Sequence, residues 1–244
     1  MRAYWDARAR ENAMFFIHSQ LDYRETDETE FWASGVDNLD RTLATHGLEI
    51  KPTDRVVEIG CGMGRITRPL ANRACHVVGL DVSAEMIERA QQALHDLPNV
   101  ELLVGNGCDL DGVADASADV VYSFIVFQHI PDPAITYGYI REIGRVLAPG
   151  GWALFQVSEL PDIHRTDAHR VDRTARTRIR QLFGRQPRGC LTAEWLGSAV
   201  RRVDLLRALE EGGLEFAGSV GDGTQYCFVH AVKGSGPGAS ASGH

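Results

Sequence analysis

The 244-residue chain has only five cysteines, at 61, 75, 108, 190 and 227, and they are odd in number and widely scattered. None stands in a Cys-x-x-Cys or Cys/His ligand spacing, so neither a disulfide framework nor a metal site is expected. A basic excess is also missing: Asp and Glu outnumber Lys and Arg by 33 to 25, for a net charge of −8. That balance disfavours nucleic acid as a partner, because a sequence-independent grip rests on many basic contacts to phosphate. No stretch approaches the roughly 18 apolar residues of a membrane span, and the opening Met-Arg-Ala-Tyr-Trp-Asp-Ala-Arg is too charged for a signal peptide. No internal repeat is present. What remains is a chain long enough for one sizeable core, expected in the cytoplasm.

Its most informative stretch is 56–64, Val-Val-Glu-Ile-Gly-Cys-Gly-Met-Gly: an apolar strand that ends in an acid and breaks into a turn with glycine at alternate positions. Glycines there let the backbone take positive φ and come close to a ligand. A dinucleotide fingerprint needs glycine or alanine again at the sixth position, where this chain has Arg65, so a nicotinamide or flavin dinucleotide is disfavoured. A second apolar strand, 76–80, closes on Asp81, where a carboxylate can accept both ribose hydroxyls of an adenosine ligand. Gly105-Asn106-Gly107 follows a third strand, Ser123 to His129 a fourth, and Arg145-Val-Leu-Ala-Pro-Gly-Gly151 leads into a fifth.

In this order and at these intervals, the run from about 54 to 157 resembles the core of a class I S-adenosylmethionine-dependent methyltransferase. The family pattern is met by Glu58, Gly60, Gly62 and Gly64, then Asp81, then the turn at 105–107, and finally the Arg-x-Leu-x-Pro-Gly-Gly bend. Asn106 stands where the family usually has Asp; its carbonyl can still accept from an adenine amino group, without the charge. The resemblance implies a doubly wound, Rossmann-like seven-stranded sheet with an antiparallel C-terminal end, and S-adenosylmethionine as cofactor.

Periodicity organises the rest. Apolar positions at spacings of three and four predict helices over 3–20 and from Asp27 to Gly47, the second opened by an Asp27/Glu30 capping box. Strands at about 55–59, 76–80, 100–104, 119–124 and 152–157 alternate with helices at about 64–74, 83–95 and 133–147, as a doubly wound sheet requires. Ser83 and Asp132 read as N-caps, with Pro133 at the first helical position. A helix from near Asp204 to 212–213 and strands at about 214–220 and 225–233 close the core. The expected organisation is an N-terminal helical cap (1–50), a core (51–233) with an insertion (158–200) that is arginine-rich over 165–188, and a disordered Gly/Ser tail (234–244).

The resemblance and the strand ends together nominate Glu58, Gly60, Cys61, Gly62, Gly64, Arg65, Asp81, Val82, Met86, Asn106, Gly107, Ser123, Phe124 and Gln128 for the cofactor. Arg65 pairs with the cofactor's carboxylate in this reading, beside the free N–H groups of a helix start. His129 is the candidate general base, since imidazole ordinarily titrates near neutral pH; a positioning role is the alternative. His18, His164, His169 and His230 are weaker candidates for the cleft. Tyr4, Phe16, Tyr23, Trp32, His129 and Gln225 are nominated for the methyl acceptor, with Trp5, Phe15 and Phe31 in the same aromatic lid. The expectation is methylation of a small molecule, a specialised metabolite, at oxygen or nitrogen rather than carbon. RNA or protein methylation is one alternative, and an accessory protein that binds the cofactor without methyl transfer is the other.

Overall fold

The computed structural model of the chain describes residues 1–164 and 192–235. The arginine-rich stretch with His169 and Cys190, and the tail from 236, lie outside the described residues. Seven strands form one sheet in the order β3-β2-β1-β4-β5-β7-β6. Strands β1 (Arg55–Ile59), β2 (His76–Asp81), β3 (Val100–Val104), β4 (Ala118–Ser123) and β5 (Leu147–Val157) run parallel, while β7 (Cys227–Lys233) is antiparallel to both β5 and β6 (Leu214–Val220). Strand β1 pairs with β2 on one side and β4 on the other, so the strand order reverses there, and a crevice opens at the carboxyl ends of β1 and β4.

Alternation along the strands divides the core. Val57, Val121, Ala153 and Phe155 pack against α5 (Pro133–Val146) and α7 (Arg202–Glu211) through Ile140, Ile143, Leu205 and Leu209. Val56, Val120, Tyr122 and Leu154 face the opposite way, onto Leu39 and Leu43 of α2 (Glu28–His46) and Leu70 of α3 (Thr67–Ala71). Leu39 and Leu70 are both 0% exposed, and each such side chain contributes about 1.5–3 kcal/mol to holding its helix on the sheet.

The caps act as the sequence indicates. Asp27 Oδ1 accepts from the Glu30 amide at 3.0 Å, Gly47 ends α2 at φ 63°, and Ser83 and Asp132 cap α4 (Ala84–Ala93) and α5. Three elements differ from expectation. Helix α3 spans five residues rather than eleven: Gly64, at φ +96°, is not helical, and the chain turns at Asn72 after Ala71. Strand β5 starts at Leu147 rather than 152, pairing with Ala118 before a bulge displaces the register. Helix α1 (Arg2–Ile17) breaks at Asn12 (φ −165°, ψ 88°), whose Oδ1 accepts from Phe15 N at 3.1 Å and so caps the second half. A short helix, α6 (Ala193–Leu196), was not indicated by the sequence. No helix among the described residues is long and apolar enough to cross a membrane.

Candidate active site

The glycine turn is stitched to β2 by two amides, Gly60 N and Cys61 N, which donate to Leu80 O at 2.7 and 2.9 Å. Gly62 N then donates 2.9 Å to Asp81 Oδ2, and Ser83 N donates 2.8 Å to Asp81 Oδ1. Each carboxylate oxygen keeps a further acceptor position, so Asp81 is oriented by backbone and still able to take two ligand hydroxyls. Burial pushes its carboxyl up to about 6, opposed by the amides of Ser83 and Gly62. The first glycine of the turn cannot carry a side chain: a Cβ on Gly60 (φ +75°) would lie 2.3 Å from Val126.

Glu58, the penultimate residue of β1, is buried, accepts from Thr67 Oγ1 at 2.5 Å, and is pushed up to about 7 by burial. Beside it, Arg65 is 3% exposed. Its Nη1 donates 3.1 Å to Ser34 Oγ, and its guanidinium faces Phe124 and Phe31 at 5.6 and 6.0 Å. Burial lowers it to about 10, with Glu58 pulling the other way. Arg65 Nε is buried without a partner, and among the described residues no carboxylate lies within ion-pair distance of the guanidinium. A buried carboxyl and a buried cation, not in direct contact with each other, suit the zwitterionic amino-acid end of S-adenosylmethionine: carboxylate toward Arg65, ammonium toward Glu58.

Past β4, Ile125 sits at φ +57°, a costly conformation for a β-branched residue, and turns the chain into the short helical turn Phe127–His129. His129 Nδ1 lies 2.9 Å from Trp195 O, which fixes the tautomer with Nδ1 protonated and leaves Nε2 as an acceptor, 3.2 Å from Gln128 Nε2. The ring meets Trp5 of α1 edge-on and Trp195 of α6 at a tilt, both with centroids 5.6 Å away, and Trp195 meets Phe16 edge-on at 5.6 Å. Burial pushes His129 down to about 4. The ring is therefore neutral across the physiological range, a correction to the near-neutral titration expected of it.

These groups surround one cavity of about 880 Å³, within the range of about 300–1,000 Å³ for small-molecule sites. Of the nominated residues, Glu58, Gly60, Cys61, Gly62, Arg65, Asp81, Val82, Met86, Gly107, Phe124, Gln128, His129, Phe16 and Gln225 line it, as does His18. Six others do not. A Cβ on Gly64 would meet Leu94 at 2.6 Å, so that glycine serves packing on the next helix. Ser123 Oγ donates 3.1 Å to Ile59 O, bridging β4 to β1. Asn106 Oδ1 is taken by the amides of Cys108 and Asp109 at 2.8 and 3.1 Å, leaving Asp109 of the same loop to face the cavity. Tyr4 packs on Trp5 and beneath Arg8, Tyr23 bonds Glu11 at 2.5 Å, and Trp32 bonds Glu28 at 3.2 Å beneath Arg68. Consecutive helical residues point about 100° apart, so only Trp5 of the pair Tyr4 and Trp5 turns into the cavity.

Sequence reasoning missed Trp195, Asn38, Arg41, Thr42, Asp109, Tyr226 and Phe228, which also line the cavity. The recurrence of small polar residues at 34, 38 and 42 on an otherwise amphipathic helix was a usable signal for α2. Nothing in the sequence joins Trp195 to His129. His164 bonds Ser158 Oγ at 2.7 Å and also Leu196 O, and so braces α6.

Residues 57–155 match the family model described as Methyltransferase domain. A trans-aconitate 2-methyltransferase of Azoarcus sp. (strain BH72) is 30% identical over 190 residues, 74% of this chain and 67% of that protein. A ubiquinone biosynthesis O-methyltransferase of Paracidovorax citrulli is 30% identical over 105 residues, 41% of this chain and 42% of the relative. Among solved structures, phosphoethanolamine N-methyltransferase 1 of Haemonchus contortus has a TM-score of 0.64 at 16% identity, covering 99% of this chain and 50% of that one, and shares the fold. The chain belongs to the class I S-adenosylmethionine-dependent methyltransferases, and S-adenosylmethionine is its cofactor. Across several matched relatives it spans between 32% and 46% of their length.

Proposed function

We propose that the protein transfers a methyl group to oxygen or nitrogen of a small molecule, in the range of specialised metabolites. The observation that supports this best is the single cavity in which the glycine turn and Asp81 meet His129 and the rings of Trp5, Phe16 and Trp195. The cofactor supplies an electrophilic methyl on a sulfonium. The chain's own residues align the acceptor with it and exclude water: the rings form an apolar wall and the neutral imidazole adds no like charge beside the sulfonium. His129 Nε2 is the proposed proton acceptor for a hydroxyl that displaces the Gln128 amide, 3.2 Å from it in the free chain. A base with a pKa near 4 suffices for a hydroxyl, whose oxygen becomes strongly acidic as the new bond to carbon forms; a neutral amine attacks without a base, and its product is the alkylammonium ion.

The experiment is in two stages: calorimetric titration with S-adenosylhomocysteine, then transfer of labelled methyl to metabolite, RNA and protein pools. Label in the metabolite pool is the expected outcome; label only in RNA or protein would replace this reading. Binding without transfer to any pool would favour an accessory role. The relatives named for trans-aconitate and for ubiquinone biosynthesis lend support to a small acceptor.

A further inference from the structure

The cavity contains a second cationic group that the cofactor's single carboxylate does not require. Arg41 lies on α2 with Asn38 and Thr42, all three lining the cavity. Its Nη2 donates to Asn38 Oδ1, which orients a side chain only 7% exposed and leaves the Asn38 amide N–H groups as donors. Thr42 Oγ1 is already occupied by Tyr122 OH at 2.8 Å and by the carbonyls of Asn38 and Leu39. The patch is therefore rich in donors, a guanidinium fork beside an amide, and no carboxylate of α2 lines the cavity there.

The surface leaves few arginines without a carboxylate, and Arg41 is one of them, as are Arg2, Arg65 and Arg89 among the described residues. Many arginines find carboxylates: Arg10 meets Glu85, Arg55 meets Asp119, and Arg145 meets Asp115 and Glu142. Even Asp40, next to Arg41 in sequence, pairs with Arg73 at 2.6 Å. Among the described residues Arg41 has no ion pair, in a chain whose acids outnumber its bases by 33 to 25. Long-range repulsion from that excess works against an anionic ligand, so recognition of one needs a local cation of this kind.

Depth separates the two cavity arginines. Arg65 is 3% exposed, whereas Arg41 is exposed, as are Ser19, Gln20 and Tyr226 along the cavity wall. Arg65 touches Ser34, and Asn38, to which Arg41 bonds, is one helical turn further on, about 6 Å along the axis. Phe124, which faces Arg65, and Phe228, whose ring lies 6.2 Å from His46 of α2, have centroids 5.7 Å apart and offer an apolar wall beside this helix.

We propose that Arg41 and Asn38 bind an anionic group, a carboxylate or phosphate, on the methyl acceptor, whose apolar part lies against Phe124 and Phe228. This deepens the small-molecule reading and rests on it. Two measurements on the full chain saturated with S-adenosylhomocysteine test it. In calorimetric titration, citrate as probe is expected to bind, with affinity falling roughly tenfold or more in Arg41→Gln and partly regained in Arg41→Lys. With labelled cofactor and a metabolite extract separated on an anion exchanger, the methyl-accepting activity is expected in the retained, acidic fraction, with KM raised by a similar factor in Arg41→Gln.

Citrate binding that is absent, or unchanged by Arg41→Gln, overturns the site. So does acceptor activity confined to neutral or cationic fractions, or a comparable loss of S-adenosylhomocysteine affinity in Arg41→Gln, which would give the arginine to the cofactor. A protein that binds S-adenosylhomocysteine but labels no fraction defeats the transfer reading instead, and the citrate titration then decides the site by itself.

Discussion

Asp81 and His129 act within the same cavity under opposite demands. Asp81 holds two backbone amides and is oriented to take two more donors, so Asp81→Ala should weaken S-adenosylhomocysteine binding by about 1.5–3 kcal/mol, roughly 10- to 150-fold. Calorimetry on the folded variant measures this, and unchanged affinity would move the ribose elsewhere. Burial holds His129 near 4, so its protonation does not contribute to the rate profile above about pH 6. His129→Gln should lower the transfer rate by roughly 10²–10⁴-fold at every pH from 6 to 9 if the imidazole takes the proton. Near-normal turnover in that variant would leave it a positioning role.

At the scale of elements, the closest contacts lie where glycine admits a neighbour. A Cβ on Gly35 of α2 would lie 2.1 Å from the Arg65 carbonyl oxygen, so this helix rests directly on the backbone after the glycine turn. Gly64 at φ +96° accommodates Leu94 in the same way; Gly64→Ala should cost about 1–3 kcal/mol of stability in urea unfolding, and adding Leu94→Ala should not restore all of it, because the backbone strain remains. Helix α1 reaches further than an acceptor lid needs to. Arg2 donates to Val82 O and Gly105 O at 3.1 and 2.9 Å, and Ser83 Oγ donates to Asp6 at 2.7 Å. Truncation of residues 1–11 should thus reduce S-adenosylhomocysteine affinity, on the order of tenfold, as well as acceptor turnover; calorimetry on the truncated chain would detect an unaltered cofactor site.

For the whole molecule, the buried charges link cofactor binding to pH. Burial raises Glu58 from 4.5 to about 7 and Asp81 from 3.8 to about 6, while the cofactor's ammonium and ribose favour both carboxylates ionised. Affinity for S-adenosylhomocysteine should therefore rise from pH 5 to 8 with proton release, seen as a binding enthalpy that differs between phosphate and Tris buffers. Stability of the free chain follows the opposite sign for these two groups. The folded form binds more protons than the unfolded one between the ordinary and raised values, so their contribution declines as pH rises through about 4.5–7 for Glu58 and 3.8–6 for Asp81. His129, lowered from 6.5 to about 4, counters this by losing its contribution as pH falls through that interval.

Local chemistry carried the order of elements. The caps at Asp27, Ser83 and Asp132, the glycine turn and the alternation of strand and helix act within a few residues of chain, which is why a sequence reading located them and the parallel core. The same holds for Glu58, Gly60, Arg65 and Asp81, whose positions at strand ends bring them to one crevice. Direction and depth were decided by packing. Rotation of α1 turned Trp5 inward and Tyr4 away, loop hydrogen bonds drew the Asn106 carbonyl out of the cavity and left Asp109 there, and the carbonyl of Trp195, 66 residues along the chain, fixed the His129 tautomer. The polar face of α2 that brings Asn38 and Arg41 to the cavity depends likewise on Gly35 letting that helix rest on Arg65. Backbone conformation is coded by neighbours in the chain; the environment of a side chain, and with it the pKa and partners of each group, arises only when distant segments meet.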